Sequence, residues 1–349
     1  MTRTMNVTLS DIGDQLGISH QVVSKTMNGG RSTVVVSKEL ELRIRETAAR
    51  MGYRPSTAGR SLRLGKTMSI GILVGPSEDF LLSPDTLVAC VKALSERGYS
   101  TTLFSANGNS EEDYLKSPLL SERSVDALLV SYAHEPSATF EAEVARLPMP
   151  VVWLNRKTAS NTLCVDERGA ARLLAEHLLE QGHRHLAFLD YSSGSLKDAL
   201  IAERLSGMRD AADEAGAILS IIQKRLARTD RSEHAQSWLT AEKRPTAIVT
   251  NSLSSAQAVC QTALGMGLSL PQDLAVSSFD NGPSHLANVP VITCAIRPDG
   301  EFGRIAAKMI FDLLDQPDYS TPGLCLPFTL SIGGSTVSQK QKTQKQKTS

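Results

Sequence analysis

Apolar residues recur at two different periods along this chain of 349 residues. Near the N-terminus Leu9, Ile12 and Leu16 fall at helical spacing, the stripe of a short amphipathic helix that Thr8 or Ser10 can cap. Gly17 breaks it, Ile18 plugs the turn, and Ser19 offers a cap to a second helix starting at His20, with Val23 and Met27 on its inward side. After Gly29 and Gly30, Ser37 caps a third helix whose apolar face is Leu40, Ile44, Ala48 and Met51 and which Gly52 ends. A small all-α helix-turn-helix head over residues 1–53 is expected, followed by a Pro-started bridge at 54–67.

From Met68 onward the period changes. Short apolar runs at 69–75, 100–105, 126–131, 150–155, 185–190, 246–250 and 273–280 alternate with helical stretches. Alternation of this kind predicts doubly wound parallel sheets with helices on both faces, and so many strands imply two lobes rather than one sheet. The final segment, 338–349, is polar and lysine-rich and is expected to be disordered.

Composition alters this picture only when divided by region. The chain holds 37 Lys and Arg against 37 Asp and Glu. Residues 1–66, however, carry 11 basic against 5 acidic side chains, and 67–337 carry 22 against 32. A basic head on an acidic body predicts a polyanion partner at one end only. The outer face of the second helix holds only hydrogen-bonding residues: His20, Gln21, Ser24, Lys25 and Asn28. Such a helix suits the major groove of double-stranded DNA, where Gln pairs with adenine and Lys with guanine. His20, Gln21 and Lys25 are the candidate base readers. Ser19, Ser24 and Asn28 are candidate phosphate contacts, and Thr8 completes the DNA-facing set.

The quoted motifs carry a resemblance. VTLSDIGDQLGIS (7–19), VVSKTMN (22–28) and YRP (53–55) followed by GRSL (59–62) resemble the signature of the LacI/GalR family of bacterial repressors. The resemblance implies a homodimer on operator DNA, a hinge helix within 54–67, Leu62 as its minor-groove wedge and Arg60 as a backbone contact. It also implies a body like a type I periplasmic binding protein, with an N-lobe of 68–165 plus 297–323 and a C-lobe of 166–296 plus 324–337. A small sugar-derived effector would bind between the lobes. ERLSG (203–207) places Arg204 in that cleft, and SSFDN (277–281) places Phe279 and Asp280 there, with Ser131, Asn155 and Asp299 as further effector contacts. Arg204 reads alternatively as a surface ion pair, and Asp280 as a helix cap. At TNSL (250–253) Leu253 stands where the family commonly has an acid. Lost negative charge beside a retained arginine favours a phosphosugar or sugar acid over a neutral sugar.

Five scattered cysteines without a C-x-x-C pair argue against a disulfide framework, and with no secretory or membrane-spanning run the expected location is the cytoplasm. The set His177, His183 and His185 invites a metal, but GHRH (182–185) resembles a turn of the family leading into a strand. No metal or cofactor is expected. No nucleophile elbow or phosphate loop is present, which leaves an enzyme without support. Trp153 and Trp238 are expected in the core rather than against a sugar ring. The alternative to metabolite control is a regulator of the same fold that answers to a protein partner.

Overall fold

The structure is a computed structural model that describes residues 7–28, 35–54, 65–74, 82–105, 111–115, 124–131, 136–157, 160–191, 199–280, 290–316 and 318–337. The chain divides into two compact units, Met1–Met68 and Ser69–Ser349.

In the first unit, α1 (Leu9–Leu16) starts from a reciprocal cap. Thr8 Oγ1 accepts from the Asp11 amide at 3.3 Å while Asp11 Oδ2 accepts from the Thr8 amide at 2.7 Å. The turn into α2 (His20–Asn28) is closed by the Ile18 amide donating to the Gly13 carbonyl at 3.0 Å. A Cβ on Gly13 would lie 2.7 Å from the Ile18 carbonyl oxygen, so the two helices meet this closely only because residue 13 has no side chain. Ser37 caps α3 (Lys38–Met51) through the Leu40 amide, and Gly52 ends it in the left-handed region. Ile12, Val23, Ile44 and Ala48 are buried together, with Leu9, Leu16, Ile18, Val22, Met27, Leu40, Met51 and Tyr53 packed round them. The expected three-helix core is present. The bridge with Arg60 and Leu62, and the tail from Ser338, lie outside the described residues.

The second unit holds two six-stranded sheets. The N-lobe sheet comprises β1 (Ser69–Val74), β2 (Ser100–Ser105), β3 (Ala127–Ser131), β4 (Val151–Leu154), β5 (Thr162–Val165) and β11 (Leu324–Leu326), in the order β11-β5-β4-β3-β1-β2. Its helices are α4 (Pro84–Glu96), α5 (Glu111–Leu115), α6 (Ala138–Ala145) and α11 (Asp299–Asp315). The C-lobe sheet comprises β6 (His185–Asp190), β7 (Ile218–Gln223), β8 (Ala247–Thr250), β9 (Ala275–Asp280), β10 (Thr293–Ile296) and β12 (Thr329–Ser331), in the order β12-β10-β9-β8-β6-β7. Its helices are α7 (Glu167–Glu180), α8 (Ala199–Glu214), α9 (Arg231–Leu239) and α10 (Leu253–Gly265). Among the described strands every pairing is parallel except that of β12 with β10.

Three crossings join the lobes. Asp166 caps α7 at the first, its Oδ1 accepting from the Gly169 amide at 2.9 Å. Arg297 and Pro298 form the second, between β10 and α11. The third lies at 327–328 and corrects the expectation that 324–337 belongs wholly to the C-lobe. β11 pairs in register with β5, Cys325 opposite Cys164, so Leu324–Leu326 is N-lobe and the chain changes lobes only after it. Trp153 packs in the N-lobe core and Trp238 against the C-lobe core.

The R-x-x-G spacing of 204–207 has a packing reason. A Cβ on Gly207 would meet the Arg168 carbonyl oxygen at 2.0 Å, so α7 and α8 touch backbone to backbone there. That contact fixes α8 and with it the direction from which Arg204 enters the strand ends.

Candidate functional site

Helix α2 has the two faces its sequence implied. Val23 and Thr26 are buried, whereas Ser19, His20 and Gln21 are exposed and Ser24 and Lys25 half-buried. Asn28 falls on the last turn of α2, and its side chain lies outside the described residues. Thr8 is exposed, but its hydroxyl is engaged, donating to Asp11 Oδ2 at 2.8 Å. Arg45 Nη2 donates to the Thr26 carbonyl at 3.2 Å, which ties α3 to the buried side of α2.

In the body the predicted residues converge at the carboxyl ends of the strands, where parallel sheets place ligands. Arg204 on α8 is only 7% exposed. Its Nε and Nη2 both lie 2.7 Å from Glu167 Oε2, and Nη1 donates to the Asn251 carbonyl at 3.0 Å and to Asn251 Oδ1 at 2.5 Å. The guanidinium lies flat on the Phe279 ring, 3.6 Å from its centroid. Asn251 Nδ2 in turn donates to Asp190 Oδ1 at 3.1 Å, and Asp190 is fully buried at the end of β6. Asp280, 7% exposed, ends β9. Arg204 is therefore in an ion pair, but a buried one at the head of a hydrogen-bonded row, not a surface pair.

A second group lies on the N-lobe side. Arg297 Nη2 donates to Asn155 Oδ1 at 2.9 Å. Its Nε is 2.9 Å from Asp299 Oδ1 yet off the N–H axis, an ionic contact without a directed hydrogen bond. Burial pushes the Arg297 guanidinium below its ordinary pKa, while Asp299 and Glu167 pull it back up and Arg204 lowers it. Asp299 also accepts from Ser83 Oγ at 2.7 Å and Thr86 Oγ1 at 2.9 Å. Its oxygens are thus occupied by its own lobe. Ser131 is buried at the end of β3. The third crossing reaches the same place, because the Phe328 ring stands edge-on to Phe279 at 6.2 Å.

Sequence reasoning missed Glu167, Asp190, Asn251 and Arg297. Asn251 lies inside the TNSL segment that drew attention to Leu253, and Glu167 and Arg297 sit at the first two crossings, so position relative to the crossings was the available signal. A surface cavity of about 900 Å³ opens elsewhere, on the N-lobe beside α6 and β4, and none of the predicted residues lines it. Among the described residues no cluster of three potential metal ligands occurs, and no helix is long and apolar enough to cross a membrane.

Comparison with known proteins agrees with both halves of this description. The periplasmic binding protein-like domain family matches residues 175–336. Catabolite control protein A of Priestia megaterium is 24% identical over 340 residues, covering 95% of this chain and all of that protein. The HTH-type transcriptional repressor PurR of Salmonella paratyphi B is 28% identical over 314 residues, 87% of this chain and 89% of that one. Among solved structures, the lac repressor dimer bound to operator and an anti-inducer superposes with a TM-score of 0.81 at 19% identity, over 96% of this chain and 100% of that one. The regulator CelR in complex with cellobiose superposes with a TM-score of 0.65 at 21% identity, over 95% of this chain and 100% of that one. From its helical head to the third crossing of its two-lobed body, the chain is similar to transcriptional regulators of the LacI type, and its C-terminal half matches the periplasmic binding protein-like domain family.

Proposed function

We propose that this protein is a sequence-specific DNA-binding repressor, active as a homodimer, whose grip on operator DNA is set by a small ligand held between the lobes. The observation that carries the reading is the division of α2. Its apolar side is consumed by the head core, while Ser19, His20, Gln21, Ser24 and Lys25 form a polar outer side on a segment of net positive charge. His20, Gln21 and Lys25 read bases, and Ser19 and Ser24 hold phosphates. Dimerisation is supported by exposed apolar side chains on one edge of the N-lobe, Val88 and Val91 on α4 and Leu103 on the edge strand β2.

The ligand is read as a sugar derivative. The Arg204 guanidinium stacked on Phe279 offers a flat plate, and the Asp280 carboxylate suits hydroxyl donors. Within that class a phosphosugar or sugar acid is favoured by Leu253, which removes an acid from the wall. Glu167 already neutralises Arg204, so Arg204 serves as stacking plate and hydrogen-bond donor, and the counter-ion of an anionic ligand has to be another residue. The paired state of Arg204 is also the observation that favours the second reading, a neutral sugar.

Selection of duplexes from a random double-stranded pool by the full-length protein tests the DNA reading. A recovered pseudo-palindrome bound at least about 10³-fold more tightly than random DNA supports it, and equal binding to all sequences rejects it. Thermal shifts with phosphosugars, sugar acids and neutral sugars then decide the ligand class. Tight binding of a neutral monosaccharide with none for its phosphate or acid selects the second reading, and silence from the whole panel beside binding of a protein partner selects a protein-controlled regulator.

A further inference from the structure

Arg231, the first residue of α9, is 8% exposed and differs from the other buried arginines of the body. Arg204 and Arg297 each face a carboxylate, at 2.7 and 2.9 Å. Arg231 makes no ion pair among the described residues, and its Nε is buried without a hydrogen-bond partner. Its one directed bond runs from Nη1 to Ser254 Oγ at 2.9 Å, in the first turn of α10. Burial pushes the guanidinium below its ordinary pKa and Arg228 lowers it further, while Tyr191 and the Asp190 carboxylate pull it back up. A buried cation normally has a counter-ion, because its desolvation is otherwise uncompensated.

The place to which Arg231 points is built for an anion. Ser252, the cap residue of α10, makes no side-chain capping bond. Its Oγ instead lies 3.2 Å from Ser254 Oγ and 2.9 Å from Ser255 Oγ, a cluster of three hydroxyls at the positive end of a 13-residue helix. No acidic side chain stands in that helix's first turn, where Leu253 occupies the position between the serines. Asn251, which immediately precedes the cluster, is the residue that receives Arg204, so the cluster continues the ligand wall.

We propose that Arg231, the hydroxyls of Ser252, Ser254 and Ser255 and the first-turn amides of α10 form an anion subsite on the C-lobe wall, which holds the phosphate or carboxylate of the effector. The subsite rests on the reading of the body as an effector domain and supplies the counter-ion that Arg204 does not. The effector divides between two neighbouring places: its hydroxyl-bearing part goes to Phe279, Arg204 and Asp280, and its anionic group to Arg231.

Inorganic phosphate is the probe, titrated into the full-length protein by calorimetry and by thermal unfolding against chloride at equal ionic strength. The wild type is expected to bind phosphate and to gain melting temperature from it. Arg231→Gln should weaken phosphate binding about tenfold, Ser254→Ala less, and Arg231→Lys should restore part of the loss. Phosphate binding that is absent from the wild type, or equal in wild type and Arg231→Gln, overturns the subsite, the latter assigning the anion to the basic head. If Arg231→Gln fails to fold, the Ser254→Ala and Arg231→Lys titrations carry the decision. Operator release by a neutral sugar, undiminished in Arg231→Gln, rejects the subsite while preserving the repressor reading. Operator binding insensitive to every small molecule rejects the effector reading itself, whatever phosphate does.

Discussion

At the scale of single residues, the chemistry of the cleft is decided by which charge already has a partner. Removing Arg204 leaves Glu167, itself 8% exposed, as a buried uncompensated carboxylate. Arg204→Ala is therefore expected to destabilise the body by roughly 3–5 kcal/mol in urea unfolding and to abolish the effector response. Two histidines set an acid limit. Burial lowers the His183 and His234 imidazoles below their ordinary pKa of 6.5, and Lys224 adds to this at His234. A lowered folded-state value means the unfolded chain takes up protons first. Their contribution is thus full above about pH 6.5 and declines as the pH falls through and below it, so the urea midpoint should drop between pH 7.5 and 5.5. The thiols differ just as sharply. Cys325 is exposed, whereas Cys90, Cys164 and Cys260 are buried with pKa values pushed up to about 12 and Cys294 is pushed up further. A thiol reagent at pH 8 should label Cys325 at once and the other four only on unfolding.

At the scale of elements, close helix contacts and caps govern stability. A methyl at Gly207 would collide with the Arg168 carbonyl, so Gly207→Ala should cost roughly 1–3 kcal/mol and shift Arg204, raising the effector dissociation constant along with the loss in urea midpoint. In the head, Thr8→Ala removes the cap of α1 and should cost about 1 kcal/mol. Lys25→Ala is expected to relax operator preference, whereas Arg60→Ala, in the bridge, should weaken specific and random DNA alike. Equal losses for Lys25→Ala would remove it from the base readers. The elements were unequally legible. All seven strands read from apolar runs are present, and β1, β3, β8 and β9 are buried along their whole length, which leaves a continuous apolar signature. The five that escaped notice had no such signature: β5, β10, β11 and β12 span only three or four residues, and β7 is an edge strand with Ile218 and Ile221 exposed.

At the scale of the whole body, two polar contacts among the described residues join the parts of the chain that meet at the crossings. Lys157, after β4, is ion-paired with Glu203 on α8, and Asn155 is bonded to Arg297 at the second crossing. The first is surface-exposed, so Glu203→Ala should alter effector affinity by less than about fivefold. Asn155→Ala leaves a deeply buried guanidinium with Asp299 alone and should change it more. An effector that favours one lobe arrangement should shift operator affinity by about 5- to 150-fold, and by linkage operator DNA should shift effector affinity by the same factor.

What the amino-acid sequence determined alone are the properties written locally: the head and its polar helix face, the alternation that makes two wound sheets, and the charge asymmetry between head and body. Turn residues, periodicity and charge act on near neighbours, so each is legible along the chain. The tertiary structure decided the pairings between distant residues. It brings Glu167 to Arg204 across 37 positions, Asn251 to the same arginine across 47, and β11 to β5 rather than to the C-lobe. Among the described residues it also leaves Arg231 without an ion pair beside the serines of α10. Whether a buried charge is neutralised depends on what folding places within about 4 Å of it, and sequence separation carries no information about that distance.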